Sequence, residues 1–292
     1  EFVSIVAPGG EWERVPESRQ MTVQPGRLHE AKFLIRSRAT VPVVGQAVPS
    51  VAPAYTAKYL QKTECFCFTP QDFAPSEERE FTVMAAERPP MVYDYSGFPE
   101  HTYHVQYPAP GLPALAEQVR QLIQSAGFSA LLDAQRGFDH GSFAPLVVMY
   151  PLADVPVVQL SLRAGYDPAE HLAVGRALAP LREQGVLIVG SGLSYHNLRR
   201  MGPSAAVPSK QFDDWLQQTL VTTEPHQRAQ RLIDWQDAPA AHVAHPQEDH
   251  LLPLMVAVGA AGHDEAVCVY HEEGFFGGVT VSGFRFGQEG GV

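Results

Sequence analysis

Residues 186–198 read Val186-Leu-Ile-Val-Gly-Ser-Gly-Leu-Ser-Tyr-His-Asn-Leu198. A short β-branched apolar run between Gly185 and Gly190 predicts a strand buried on both faces of an α/β sheet. In such sheets ligands bind beyond the carboxyl ends of the strands. His196, a few residues past this one, is therefore placed either for chemistry or merely to cap a turn. Just upstream, Pro168 to Glu183 has the spacing of an amphipathic helix, with Asp167 as N-cap and Gly185 just past its end. Before it, Val155 to Leu162 reads as another β-branched strand. Strand, helix and parallel strand form the right-handed crossover unit of an α/β fold.

Further outward, Phe81 to Ala85 alternates like a strand, and Ala114 to Ser125 is helical with Leu115, Val119, Leu122 and Ile123 on one stripe. Pro145 to Tyr150 fits a strand or the first turns of a helix equally well. Phe212 to Leu220 and the apolar Leu251 to Gly259 read as helices, and Val267 to Tyr270 and Gly278 to Phe286 as closing strands. The Gly-x-Gly at Gly190 lacks the rest of a dinucleotide fingerprint. The longest apolar stretch, Leu251 to Gly262, is too short to span a bilayer. An excess of 32 acidic over 21 basic residues argues against a general nucleic-acid or anionic-membrane surface. No signal-like segment leads the chain, which suggests processing or a fragment.

Residues 1–75 read as all-β, with strands at Met21 to Val23, Ala31 to Ser37 and Val41 to Val48, which suits a small β-sandwich. Within it lies Glu64-Cys65-Phe66-Cys67-Phe68. In a strand the two thiols project to one face. Paired soft thiolates suit Cu(I), less well Zn(II), and the alternative is two cysteines buried as apolar residues. With Pro42-Val-Val-Gly-Gln-Ala, Val51-Ala-Pro and the run from Tyr59 to Phe68, this segment resembles the CtaG family of cytochrome c oxidase copper-assembly proteins. The resemblance implies an immunoglobulin-like domain holding Cu(I) through Cys65 and Cys67 at a homodimer interface, in a periplasmic or intermembrane setting. The family's membrane anchor, with its nearby cysteine, is not recognisable here.

Three histidine settings mark the remainder. Gly137-Phe-Asp-His140-Gly is a tight loop, His196 follows the 186–189 run, and His245 and His250 flank the start of the apolar helix. Clustered imidazoles suggest a metal site or acid–base pairs. His101, His104, His171, His226, His263 and His271 read as surface residues.

Residues from about Glu87 to Gly287 resemble the LigB-type class III extradiol ring-cleaving dioxygenases, in their 4,5-DOPA dioxygenase branch. The matching blocks are Tyr93-Asp-Tyr-Ser-Gly-Phe-Pro, Tyr107-Pro-Ala-Pro-Gly, Gly137-Phe-Asp-His-Gly, Met149-Tyr-Pro, Val158-Gln-Leu-Ser, Ser191-Gly, His196-Asn-Leu-Arg and His245-Pro-Gln-Glu-Asp-His-Leu-Leu-Pro-Leu. The resemblance implies a cytoplasmic enzyme that cleaves a small aromatic diol, a catechol, with O2. It implies His250 as a ligand of Fe(II) or Zn(II), His196 as the acid–base residue and His140 as a further active-site histidine.

That family draws two earlier metal histidines from a His-Gly loop and a Ser-Ala-His-Trp strand end. Neither motif precedes Tyr93 here, where only His29 occurs. The expectation is thus a two-part chain joined near residues 76–80. Its first part is a CtaG-like β-segment at 1–75. Its second, at 76–292, is an N-terminally incomplete LigB-like α/β domain with a central, largely parallel sheet and impaired ring cleavage. The alternatives are a copper-binding assembly module with a catalytically dead C-terminal part, and a gene fusion with neither activity intact.

Overall fold

The computed structural model describes residues 12–16, 33–37, 43–45 and 71–73, and then 81–287 except 96 and 164. The chain divides into two compact units, Glu1–Glu78 and Arg79–Val292. In the first, β1 (Trp12–Pro16) pairs antiparallel with β2 (Phe33–Ser37), and β3 (Val43–Gly45) with β4 (Gln71–Phe73). Strands were expected over 31–37 and 41–48, and β2 and β3 fall there. An immunoglobulin-like sandwich is not among the described features, and the expected strand at 21–23 lies outside the described residues. So do Cys65 and Cys67.

The second unit opens with a crossover: β5 (Phe81–Met84), α1 (Pro113–Ser125) and β6 (Ala130–Asp133). β5 and β6 pair in parallel, Phe81 opposite Ala130. Phe81, Val83, Ala116, Val119, Ile123 and Ala130 bury together. Then follow α2 (His140–Met149) and α3 (Pro168–Leu178), a 3-10 stretch at Ala179–Gln184, another at Gly202–Ala205, and α4 (Ala206–Gln217). α5 (Pro225–Ile233), α6 (Ala241–Ala244) and α7 (Leu252–Ala261) lead to the antiparallel hairpin of β7 (Ala266–Phe275) and β8 (Val279–Phe286). The Asp167 side chain accepts from the amides of Ala169 and Glu170, and Gly185 closes the 3-10 stretch at φ 78°, as a cap and a left-handed stop should. No helix among the described residues is long and apolar enough to cross a membrane.

The expected central, largely parallel sheet is corrected to two parallel strands among the described residues. Val155 to Leu162 is not a ladder strand. It runs beside β5 through an isolated antiparallel bridge between Val83 and Leu160, and touches Gly111 through Val157. Val186 to Val189 joins no ladder among the described residues and is not buried on both faces. Val186 and Ile188 pack into the core, whereas Leu187 is 63% and Val189 44% exposed. The run forms one wall of a cleft of about 590 Å³, with α7 and β8 also lining it. Ala130 to Asp133 was not read as a strand, and Pro145 to Tyr150 resolves as the end of α2.

His171 is a second correction: it is fully buried, not a surface residue. Its Nδ1 donates to the Asp167 carbonyl at 2.7 Å and its Nε2 accepts from the Arg163 amide at 3.2 Å. Its ring meets Phe81 edge-on at 5.5 Å. With both nitrogens satisfied the neutral ring is cheap to bury, and burial holds its pKa below the usual 6.5.

α7 is apolar all round because it is covered on several sides. Leu251, Leu252, Met255 and Val258 enter one core cluster and Val256 borders another. It crosses α3 where Gly175 and Gly259 meet backbone to backbone. A Cβ on Gly175 would strike the Val256 carbonyl, and one on Gly259 the Leu172 carbonyl. We expect Gly175→Ala to destabilise the unit by about 1–3 kcal/mol through forced separation of the helices. The urea midpoint reads this, and an unchanged midpoint would contradict it.

Candidate functional site

The N-terminal end of α7 gathers the polar residues. His250 lies two residues ahead of the helix. The backbone of Gly192 lies so close to the His250 carbonyl that no side chain fits at that position. Past Gly192, the segment 194–197 is tied to α6. The His196 amide donates to the Ala244 carbonyl at 2.9 Å, and Asn197 Nδ2 to the Val243 carbonyl at 2.8 Å. His245 Nε2 donates to the Ser194 carbonyl at 3.0 Å. His245 itself is fully buried, edge-on to Phe212 at 5.1 Å, and burial is the main cause that brings its pKa to about 4. It is therefore a neutral strut behind the site.

The result is a stack. The His196 and His250 rings lie 3.3 Å apart at 16°, with His140 6.3 Å from His250. Asp249 Oδ2 bonds His250 Nδ1 at 3.0 Å. Burial, then the neighbouring His250, pulls the His196 pKa to about 4; Asp249 opposes this and His140 adds to it. Burial pushes the Asp249 carboxyl up, but the hydrogen bond and charge of His250 and the charge of His196 outweigh it and hold it below its usual value.

His140 arrives from elsewhere. Gly137 packs against the Pro90 carbonyl, and a parallel bridge joins Met91 to Phe138. This register sets Asp94 beside His140, with Asp94 Oδ1 2.8 Å from His140 Nδ1. Tyr95 meets the His140 ring edge-on at 5.8 Å.

Donor atoms of His196, Asp249 and His250 all lie within 4.8 Å of one another. Asp249 Oδ1 is buried with no hydrogen-bond partner among the described residues. Imidazole and carboxylate donors with one orphaned oxygen fit a divalent cation such as Fe(II) or Zn(II). The three histidines expected at the site, His140, His196 and His250, thus come together. Sequence reasoning missed Asp94 and Asp249, although both lie inside blocks quoted above. Cys65 and Cys67 lie outside the described residues.

The α/β unit opened by a parallel-strand crossover thus gathers histidines and a carboxylate at a helix start, a donor set that could hold a metal ion. Residues 68–286 match the family model described as the catalytic LigB subunit of aromatic ring-opening dioxygenase. The chain belongs to this family, whose members are metal-dependent. It is 38% identical over 199 residues to a 4,5-DOPA dioxygenase extradiol of Beta vulgaris, covering 67% of this chain and 73% of that protein. A crystal structure of an uncharacterized protein from Escherichia coli K12 aligns with a TM-score of 0.58 at 31% identity, covering 70% of this chain and 80% of that one. Residues 1–102 match the model for cytochrome c oxidase assembly protein CtaG/Cox11, a copper-binding family. There the chain is 37% identical over 94 residues to a CtaG of Bradyrhizobium diazoefficiens, covering 32% of this chain and 44% of that protein.

Because Gly192 abuts the His250 backbone, Gly192→Ala is expected to lower Tm and to shift the ring NMR signals of both His250 and His196. Unmoved ring signals would mean that the segment yields elsewhere.

Proposed function

We propose that this chain opens the ring of a catechol by inserting both atoms of O2, at the cluster of His140, His196, Asp249 and His250. The observation that carries the reading is the His196–His250 stack with Asp249 and His140 around it. In this reading His250 and Asp249 hold the cation. An imidazole lone pair lies in the ring plane, so two nearly parallel rings 3.3 Å apart cannot both aim theirs at one point. His250 and Asp249 would hold the cation, which would leave the His196 lone pair for a proton. When bound, Fe(II) supplies chelation of the diol and activation of dioxygen; Zn(II), lacking redox chemistry, would supply only the first.

The chain's own residues do the rest. His196 takes a hydroxyl proton from the diol and later returns it to an oxygen of the product-forming side. Tyr95 and His140 present a ring edge and an imidazole nitrogen along the aromatic substrate. Two protein donors are fewer than the about three of most catalytic metal sites, so the metal exchanges readily and turnover responds to added Fe(II).

Oxygen uptake with a catechol, alongside metal analysis, tests this. His250→Ala is expected to lose both iron and uptake. His196→Gln should keep its iron while turnover falls on the order of 100-fold or more. Loss of iron from the His196 variant would make His196 a ligand, and undiminished uptake by the His250 variant would remove the site altogether.

We propose, second, that residues 1–75 form a separate segment from 76–292 and bind Cu(I) through Cys65 and Cys67. The support is the Cys-Phe-Cys spacing together with the match to the copper-assembly family. The Cys65→Ser/Cys67→Ser variant is expected to lose thiol-dependent Cu(I) binding; unchanged copper stoichiometry would end this reading.

A further inference from the structure

We propose that Asp94 is a positioning residue, which fixes the ring and tautomer of His140 so that Nε2 is the nitrogen offered to the diol. The proposal deepens the ring-opening reading and rests on it only for what Nε2 touches.

Asp94 Oδ1 makes two contacts with one residue. It accepts from the His140 backbone amide at 3.1 Å and lies 2.8 Å from His140 Nδ1. An ionised carboxylate only accepts, so Nδ1 must carry the proton, and in the neutral ring Nε2 keeps its lone pair. Burial pushes the Asp94 carboxyl up, but the hydrogen bonds from the His140 amide and ring lead the causes that hold it below its usual value. At neutral pH it is the anion this bond requires.

The local architecture leaves this task to Asp94. His140 is the first residue of α2, and the preceding Asp139 occupies the usual capping position without capping. Asp139 Oδ2 is taken instead by Gln159 Nε2 at 2.6 Å. Asp94, reaching across from the neighbouring segment, therefore supplies the acceptor for an N-terminal amide and the ring acceptor at once. Tyr95 then limits rotation of the imidazole from its edge, and is itself anchored by its hydroxyl donating to the Thr102 carbonyl at 2.6 Å. Free imidazole favours the Nε2–H form, the reverse of the one this bond imposes. A carboxylate at Nδ1 thus changes which nitrogen can act, beyond capping a helix.

The test uses ring ¹⁵N NMR of the full chain with and without Asp94. In the wild type His140 is expected as the Nδ1–H tautomer. Asp94→Ala should release it toward Nε2–H, and catechol turnover should fall about tenfold or more in kcat with iron content unchanged. Asp94→Asn keeps an acceptor oxygen for both contacts, so it is expected to restore the tautomer and most of the turnover. Combining Asp94→Ala with His140→Gln should cost no more than His140→Gln alone, because Asp94 acts through that ring.

An unchanged His140 tautomer in Asp94→Ala would overturn the proposal, as would a changed tautomer with full turnover. If the wild type opens no diol, the ring-opening reading falls by itself. The tautomer shift between wild type and Asp94→Ala then still decides whether Asp94 fixes His140.

Discussion

Helix α7 is held by backbone contact, and the position of His250 depends on it. Gly175 and Gly259 let α7 and α3 approach to main-chain distance, and Gly192 lets the segment after the 186–189 run lie on the carbonyl of His250. Backbone cannot adjust as a side chain can, because every shift moves a whole helix. Close packing here fixes both where α7 lies and where the residues at its start point. The apolar side chains of α7 then tie two core clusters to that single axis.

One buried histidine, His245, supports the site from behind, and another, His171, sits in the core on the Phe81 side. His245 gives Nε2 to the Ser194 carbonyl, and His171 satisfies both of its nitrogens on backbone groups. Each stays neutral because charging it would strand a cation in an apolar surround. Neither meets the diol in the proposed reaction. His171, with backbone partners on both nitrogens, acts as a spacer, and His245 keeps Nδ1 without a partner among the described residues.

Helix α3 was legible because its ends carry local chemistry: Asp167 caps it, and Gly185 stops the turn that follows it. The start of α2 at His140, by contrast, reads locally as a loop, and α5 and α6 had no such signal. The apolar stripe of α1 was legible too, since its period lies within a dozen residues. Strand pairing is a property of two segments, and composition at 155–162 and 186–189 could not reveal whether a partner would align. β6 escaped notice because Ala130-Leu-Leu-Asp133 is four residues long with two exposed leucines. His140, His196 and His250 were legible from their glycine-rich and strand-end settings and from family blocks. Asp94 and Asp249 were not, because a carboxylate becomes an orienting group only through the tertiary register that brings it to a ring. His171 was misread since nothing local announces that the Arg163 amide will meet its Nε2.

The cluster also explains how similar side chains take unlike roles. Like charges on neighbouring rings repel, and His250 and His140 both lower the pKa of His196. Two carboxylates are present and each is bonded to one ring, Asp94 to His140 and Asp249 to His250. His196 has no carboxylate bonded to its ring among the described residues, and it is the one whose pKa falls to about 4. A ring stacked on a neighbour, half-buried and without its own anion keeps an open lone pair at neutral pH. In the proposed reaction, partner identity separates the three: His250 would share its carboxylate with the cation, His140 would be oriented by its own, and His196 would carry the proton.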